Sequence, residues 1–108
     1  MKDNETIVIL VDHAVDIKTV DGKIRKIPPS GQVARAEKKN MPFKVFSNIL
    51  INAPCWTIVN LPEPKKNTLY VVSRMVKNLV PWRYDVVCPG EPITNTKKER
   101  IGADGFLL

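Results

Sequence analysis

At 108 residues the chain has room for one modest core and one domain, spanning residues 1–108. Its 44% hydrophobic content argues against wholesale disorder, and nine prolines argue against long helices. The net charge of +6 is shared evenly, with nine Lys and Arg against six Asp and Glu in residues 1–54 and eight against five in residues 55–108, so there is no separate basic tail and the charge suits an anionic partner met by the whole surface.

Taken in order, Thr6–Val11 (TIVILV) is a β-branched run, apolar on both faces, as expected of a strand covered twice. Its short apolar stretch follows acidic residues and is not a signal peptide; no run approaches the roughly 20 residues that cross a bilayer, and a cytoplasmic protein is expected. Ala14–Val20 and Lys23–Ile27 alternate apolar and polar residues around Asp21-Gly22, the pattern of a hairpin with a type I′ turn. Pro28-Pro29-Ser30-Gly31 ends that hairpin. Gln32–Glu37 resumes alternation, and Glu37–Asn40 (EKKN) reads as a charged loop.

Met41–Cys55 fits a strand better than a helix, because its asparagines, Pro54 and β-branched residues all disfavour helix. Trp56–Leu61 is a further strand, closed by Pro62-Glu63-Pro64. Thr68–Ser73 reads as a buried strand, and Arg74–Leu79 (RMVKNL) as a helical turn stopped before Pro81. Arg83–Cys88 is the next strand, Glu91–Arg100 a polar hairpin loop, and Ile101–Leu108 a last strand reaching the core through Phe106 and Leu107. The expected fold is all-β or β-heavy α+β: a small barrel or sandwich of about seven short, mostly antiparallel strands with one short helix around 74–80.

Enzymatic signatures are missing: there is no P-loop, GxGxxG, HExxH or GxSxG. His13 is the only imidazole, and with Cys55 and Cys88 it makes no sensible zinc set. The expectation is therefore a chain without enzymatic activity, metal or cofactor, with both cysteines buried and reduced. Arg35, Arg74 and Arg83 lie among core-forming residues, where a guanidinium requires an anionic partner, either a ligand phosphate or carboxylate or an internal aspartate. Arg83 and Asp85, two apart on one strand face, suit an internal pair. Trp82 offers a ring for stacking, Ser73 a hydroxyl at a strand end, and the Ser30-Gly31 turn a close backbone approach. Ser30, Gly31, Arg35, Ser73, Arg74, Trp82, Arg83 and Asp85 are the candidate ligand-binding residues.

Three segments, IPPSGQVAR (Ile27–Arg35), LPEPKKNTLYVVS (Leu61–Ser73) and RYDVVCPG (Arg83–Gly90), resemble small uncharacterised proteins of tailed bacteriophages and prophages. That resemblance implies an accessory role in the cytoplasm of the infected host cell. Small phage accessory proteins often counter host antiviral defence, some by sequestering nucleotide second messengers. The expected partner is accordingly an anionic, nucleotide-like small molecule, bound without turnover by a homo-oligomer and with no membrane involved. A nucleic-acid-binding module, with nucleic acid as the partner, a small enzyme acting on a nucleotide through His13 and Asp85, and direct inhibition of a host protein are the alternatives.

Overall fold

The computed structural model describes residues 4–108; Met1–Asp3 of the expected domain lie outside the described residues. Ten strands and one helix follow one another as β1 (Thr6–Ile9), β2 (Val15–Lys18), β3 (Ile24–Ile27), β4 (Arg35–Phe46), β5 (Ile49–Val59), β6 (Thr68–Val71), α1 (Arg74–Leu79), β7 (Val86–Pro89), β8 (Pro92–Thr94), β9 (Arg100–Ala103) and β10 (Phe106–Leu107). They form two four-stranded sheets, in the orders β1-β6-β7-β10 and β3-β2-β9-β8, and a separate two-stranded ribbon, β4-β5. The β-heavy class with one short helix is as expected; the sheets stay open and close into no barrel. β1, β6 and β7 run parallel, as do β2 and β9, and the remaining pairs are antiparallel. No described helix is long and apolar enough to cross a membrane.

The first sheet is the middle layer, and side-chain alternation along its strands supplies two cores. Ile9, Val71 and Val87 face Val15, Ile17, Ile27 and Ala103 of the second sheet. Leu10, Tyr70, Val72 and Val86 point the other way, towards Val76 of α1 and Val80 at its end and towards Ala34, Ala36 and Ile58 at the root of the ribbon. This double cover explains why TIVILV is apolar on both faces. Tyr70 can be buried because its hydroxyl donates to the Glu63 carbonyl at 3.1 Å.

Parallel β6 and β7 need a crossover, and residues 72–85 provide it through α1. Ser73 caps the helix, its hydroxyl accepting from Val76 N at 3.3 Å. At its other end Val80 leaves the helical region, as Pro81 demands.

Several local expectations are corrected. The β2–β3 turn is not type I′: only Gly22 has positive φ (+86°), Gly22 N donates to Thr19 O, and Thr19 N donates to Lys23 O. This is a three-residue loop with glycine in the left-handed position, and Asp21 stays at negative φ because its carboxylate instead accepts from Thr19 Oγ1 and Lys23 N. Glu37–Asn40 is not a loop but part of β4, and Trp56–Leu61 is not a separate strand but mostly the return of β5. The reversal lies at Ser47-Asn48, both at positive φ (49° and 64°), which is the two-residue turn a twisted ribbon favours. The C-terminal segment is two strands broken at Asp104-Gly105; Phe106 packs on the core, whereas Leu107 is exposed. Cys88 is buried, but Cys55 is exposed on β5, outside both cores, and both thiols are free.

The β4–β5 ribbon projects from the body. Twelve residues in β4 reach roughly 40 Å at about 3.4 Å each. The radius of gyration is accordingly 18.0 Å, with extents of 62 × 42 × 23 Å, against about 13 Å for a compact chain of this length.

Because Leu10 is fully buried in the second core, Leu10→Ala should lower the unfolding free energy by about 2–5 kcal/mol. Chemical denaturation checks this, with Val20→Ala, at a fully exposed turn position, as a near-neutral control.

Candidate functional site

The parallel strands of the first sheet deliver their carboxyl ends to one side of the body, where open α/β sheets bring ligand-holding loops together. After Ile9, β1 continues for one more ladder bond, with Leu10 N donating to Val71 O at 2.8 Å, and then turns away through Asp12 and His13. After Val71, β6 continues with Val72 N donating to Val87 O at 2.9 Å, then reaches Ser73 and Arg74. On the free edge of β1, Ala34 N donates to Leu10 O at 2.9 Å, which fixes Arg35, the first residue of β4, beside the same end. Arg100 opens β9 and enters from the second sheet.

Three adjoining cavities open here, and His13 lines all of them. One of about 440 Å³ is bounded by Asp12, Arg35, Ser73 and Met75. A second, of about 350 Å³, is bounded by Ser73, Arg74, Cys88 and Arg100. The third, of about 160 Å³, is bounded by Asp16, Pro89 and Arg100. Around them stand three guanidiniums against two carboxylates. Among the described residues, Arg83–Asp85 is the ion pair formed; Arg35, Arg74 and Arg100 are not engaged with a carboxylate. The Ser73 hydroxyl accepts from Val76 N, so its own proton remains to be donated into the cavity. His13 Nδ1 lies 2.8 Å from the Ala14 carbonyl, which can only accept, so this nitrogen is the donor there and Nε2 is the one left to the cavities. Such a set can hold an anion by guanidinium and hydroxyl donors. Among the described residues no group of three metal-ligating side chains forms.

Of the residues singled out from the sequence, the structure brings together Arg35, Ser73 and Arg74. It places the others elsewhere. Ser30 is engaged with the backbone of β1: its N–H donates to Ile9 O at 3.1 Å and its hydroxyl to the same oxygen at 2.5 Å. Gly31, at φ +95°, makes the accompanying turn and borders none of the three cavities. Trp82 is 68% exposed beyond the end of α1. Arg83 clasps Asp85 through Nε and Nη2, both at 2.8 Å, and Nη2 also donates to Pro62 O at 3.1 Å. That guanidinium ties the β5–β6 connection to the start of β7. Arg100 and His13 are the site residues missing from the ligand-binding set read from the sequence: Arg100 ended a polar loop, and His13 carried no motif.

A larger cavity of about 620 Å³ lies at the opposite, amino ends of β1 and β6, lined by Glu5, Arg25, Lys65, Tyr84 and Asp85 among others. Among the described residues Arg25 and Lys65 face Glu5 there, and Asp85 is already held by Arg83. The two ends are therefore alike in net charge; the carboxyl end differs in gathering three guanidiniums, the groups that match phosphate bidentately, with no carboxylate paired to them.

The Arg83 hydrogen bonds hold the Asp85 carboxyl below its ordinary value of 3.8, and Asp85 in turn raises Arg83 above its ordinary range. A carboxylate depressed in the folded state contributes stability above its unfolded pKa and loses it as pH falls through the folded pKa. Melting temperature should therefore drop on acidification below about pH 5, and Asp85→Asn should lower it at neutral pH while flattening that acid limb. Thermal melts across pH check both. Compared with known proteins, the chain matches no family model, no curated protein and no solved structure, so the site is read from its own residues.

Proposed function

We propose that the protein binds an anionic, nucleotide-like small molecule at the carboxyl ends of β1 and β6 and acts by holding it rather than converting it. The observation that carries this reading is the convergence of Arg35, Arg74 and Arg100, none paired with a carboxylate among the described residues, on cavities that share His13. Guanidiniums match phosphate oxygens bidentately, and the Ser73 hydroxyl adds a neutral donor between Arg35 and Arg74. Exposed apolar surface beside them, such as Met75 at 51% exposure, gives a base or sugar face something to lie on. The net charge of +6 draws anions towards the whole molecule.

The phage resemblance supplies the biological part of the proposal: a nucleotide second messenger of host antiviral defence, sequestered in the infected cytoplasm. A thermal-shift and calorimetry screen with cyclic nucleotides and ADP-ribose derivatives tests it. At least one should bind and be recovered unchanged by mass spectrometry. Arg74→Ala and Arg100→Ala should each weaken it by about tenfold or more, the effect of losing one charge-assisted contact. Arg25→Ala, in the amino-end cavity, should leave affinity unchanged. No binding by any of these compounds at high micromolar concentration overturns the proposal. Binding only to single-stranded DNA or RNA, with steep salt dependence, reassigns the basic face to nucleic acid.

A further inference from the structure

We propose that the β4–β5 arm is an assembly element whose apolar end docks face to face against the same arm of a second copy of this chain. Residues paired across the ribbon share a face. Phe46 with Ile49, Met41 with Ala53, and Ile51 therefore line one face of the outer half, and Val45 with Leu50 the other, while Phe43 stands in the bulge between Pro42 and Lys44. The large apolar side chains in this set are 38–67% exposed, although every one belongs to a type usually kept inside. Four of them, Met41, Phe46, Ile49 and Ile51, lie on one face and form a contiguous exposed apolar patch, the kind of surface that marks an interaction site.

Three features of the arm select a second copy as the occupant. First, the end is self-compatible: no charged residue falls between Lys44 and Glu63, and Lys44, which stands opposite Ile51 on the docking face, has a stem long enough to carry its ammonium out to water at the rim. Second, tip-to-tip docking leaves the two bodies, each chain carrying +6, far apart on arms of roughly 40 Å. Third, the ribbon's edges are guarded. Pro42 and Pro54 lack an N–H and the bulge interrupts β4, so neither edge offers a continuous row of donors for open-ended strand addition. What remains is contact between side-chain faces, which a two-fold axis closes into a dimer.

Sedimentation and light scattering on the full chain should give a dimer. Phe46→Asp with Ile49→Asp should weaken association at least a hundredfold and yield a monomer whose body still melts cooperatively. Val20→Asp, on the β2–β3 turn of the body, should leave the dimer intact. A wild-type monomer at high micromolar concentration overturns the proposal, and so does a dimer that tolerates both aspartates. Should the double variant fail to fold, the native chain still decides: Cys55 is exposed on β5 while Cys88 is buried, so a spin label attaches to the arm alone. A defined dipolar distance between labels on two copies is expected, and its absence overturns the proposal.

Discussion

The two-sided burial of the first sheet is the constraint from which the remainder follows. A strand covered on one face tolerates a shift by two residues more easily than one whose both faces are packed; in β1, β6 and β7 any slip misplaces side chains in two cores at once. Val71, Val72 and Val86 have no exposed surface, so the strands that carry them are fixed in register and height. Everything attached to their ends is positioned by that. Asp12 and His13 must leave on one side of β6, and Ser73 and Arg74 must begin the crossover beside them. The segment ending in Ala34 closes the outer edge of β1 at the same level. The cluster of arginines is thus a consequence of strand ends being held level, with the side chains themselves free on the surface.

The same constraint shows why part of the fold is legible in the sequence. TIVILV declares a doubly covered strand because both of its faces are apolar. RMVKNLVP declares a short helical turn because Pro81 stops it, whereas the cap by Ser73 shows only in the structure. Arg83 and Asp85 reveal their pair because they are two residues apart, although the expected strand begins only at Val86 and both lie in the turn before it. These are local signals. The parallel pairing of β1 with β6 is not local: it joins Ile9 to Val71 across 61 intervening residues, and nothing in either run specifies which apolar strand lies beside it. The site fails to show for the same reason. Arg35, Arg74 and Arg100 come from three distant segments, and a guanidinium facing a cavity has the same sequence context as one facing solvent.

The arm was hidden by a different ambiguity. A charged loop and a strand exposed on both faces have the same composition, so Glu37–Asn40 read as the former while forming the latter. Ser47-Asn48 adopts positive φ twice without a glycine, and asparagine's tolerance of that region is too weak a signal to place the reversal. Pro54, which argues against a helix, and Pro42 both sit inside the ribbon. A two-stranded sheet has only edge strands, and at an edge a missing N–H can face water.

An isolated two-stranded ribbon is at best marginally stable in water, and this one places its most apolar residues farthest from the body. Ala36 and Ile58 are anchored in the second core, but that hold ends near the root. In the proposed dimer the outer half is covered where the anchoring stops, so packing supports the arm at both ends. The arrangement also bears on the site. Arg35 is both the first residue of the arm and part of the wall of the cavity shared with Ser73, so whatever fixes the direction of the arm fixes the direction of that guanidinium. Assembly would then restrict Arg35 before a ligand arrives, removing part of the ordering cost that binding otherwise carries. By the reciprocity of linked equilibria, a ligand that holds Arg35 in that orientation would favour the dimer to the same extent.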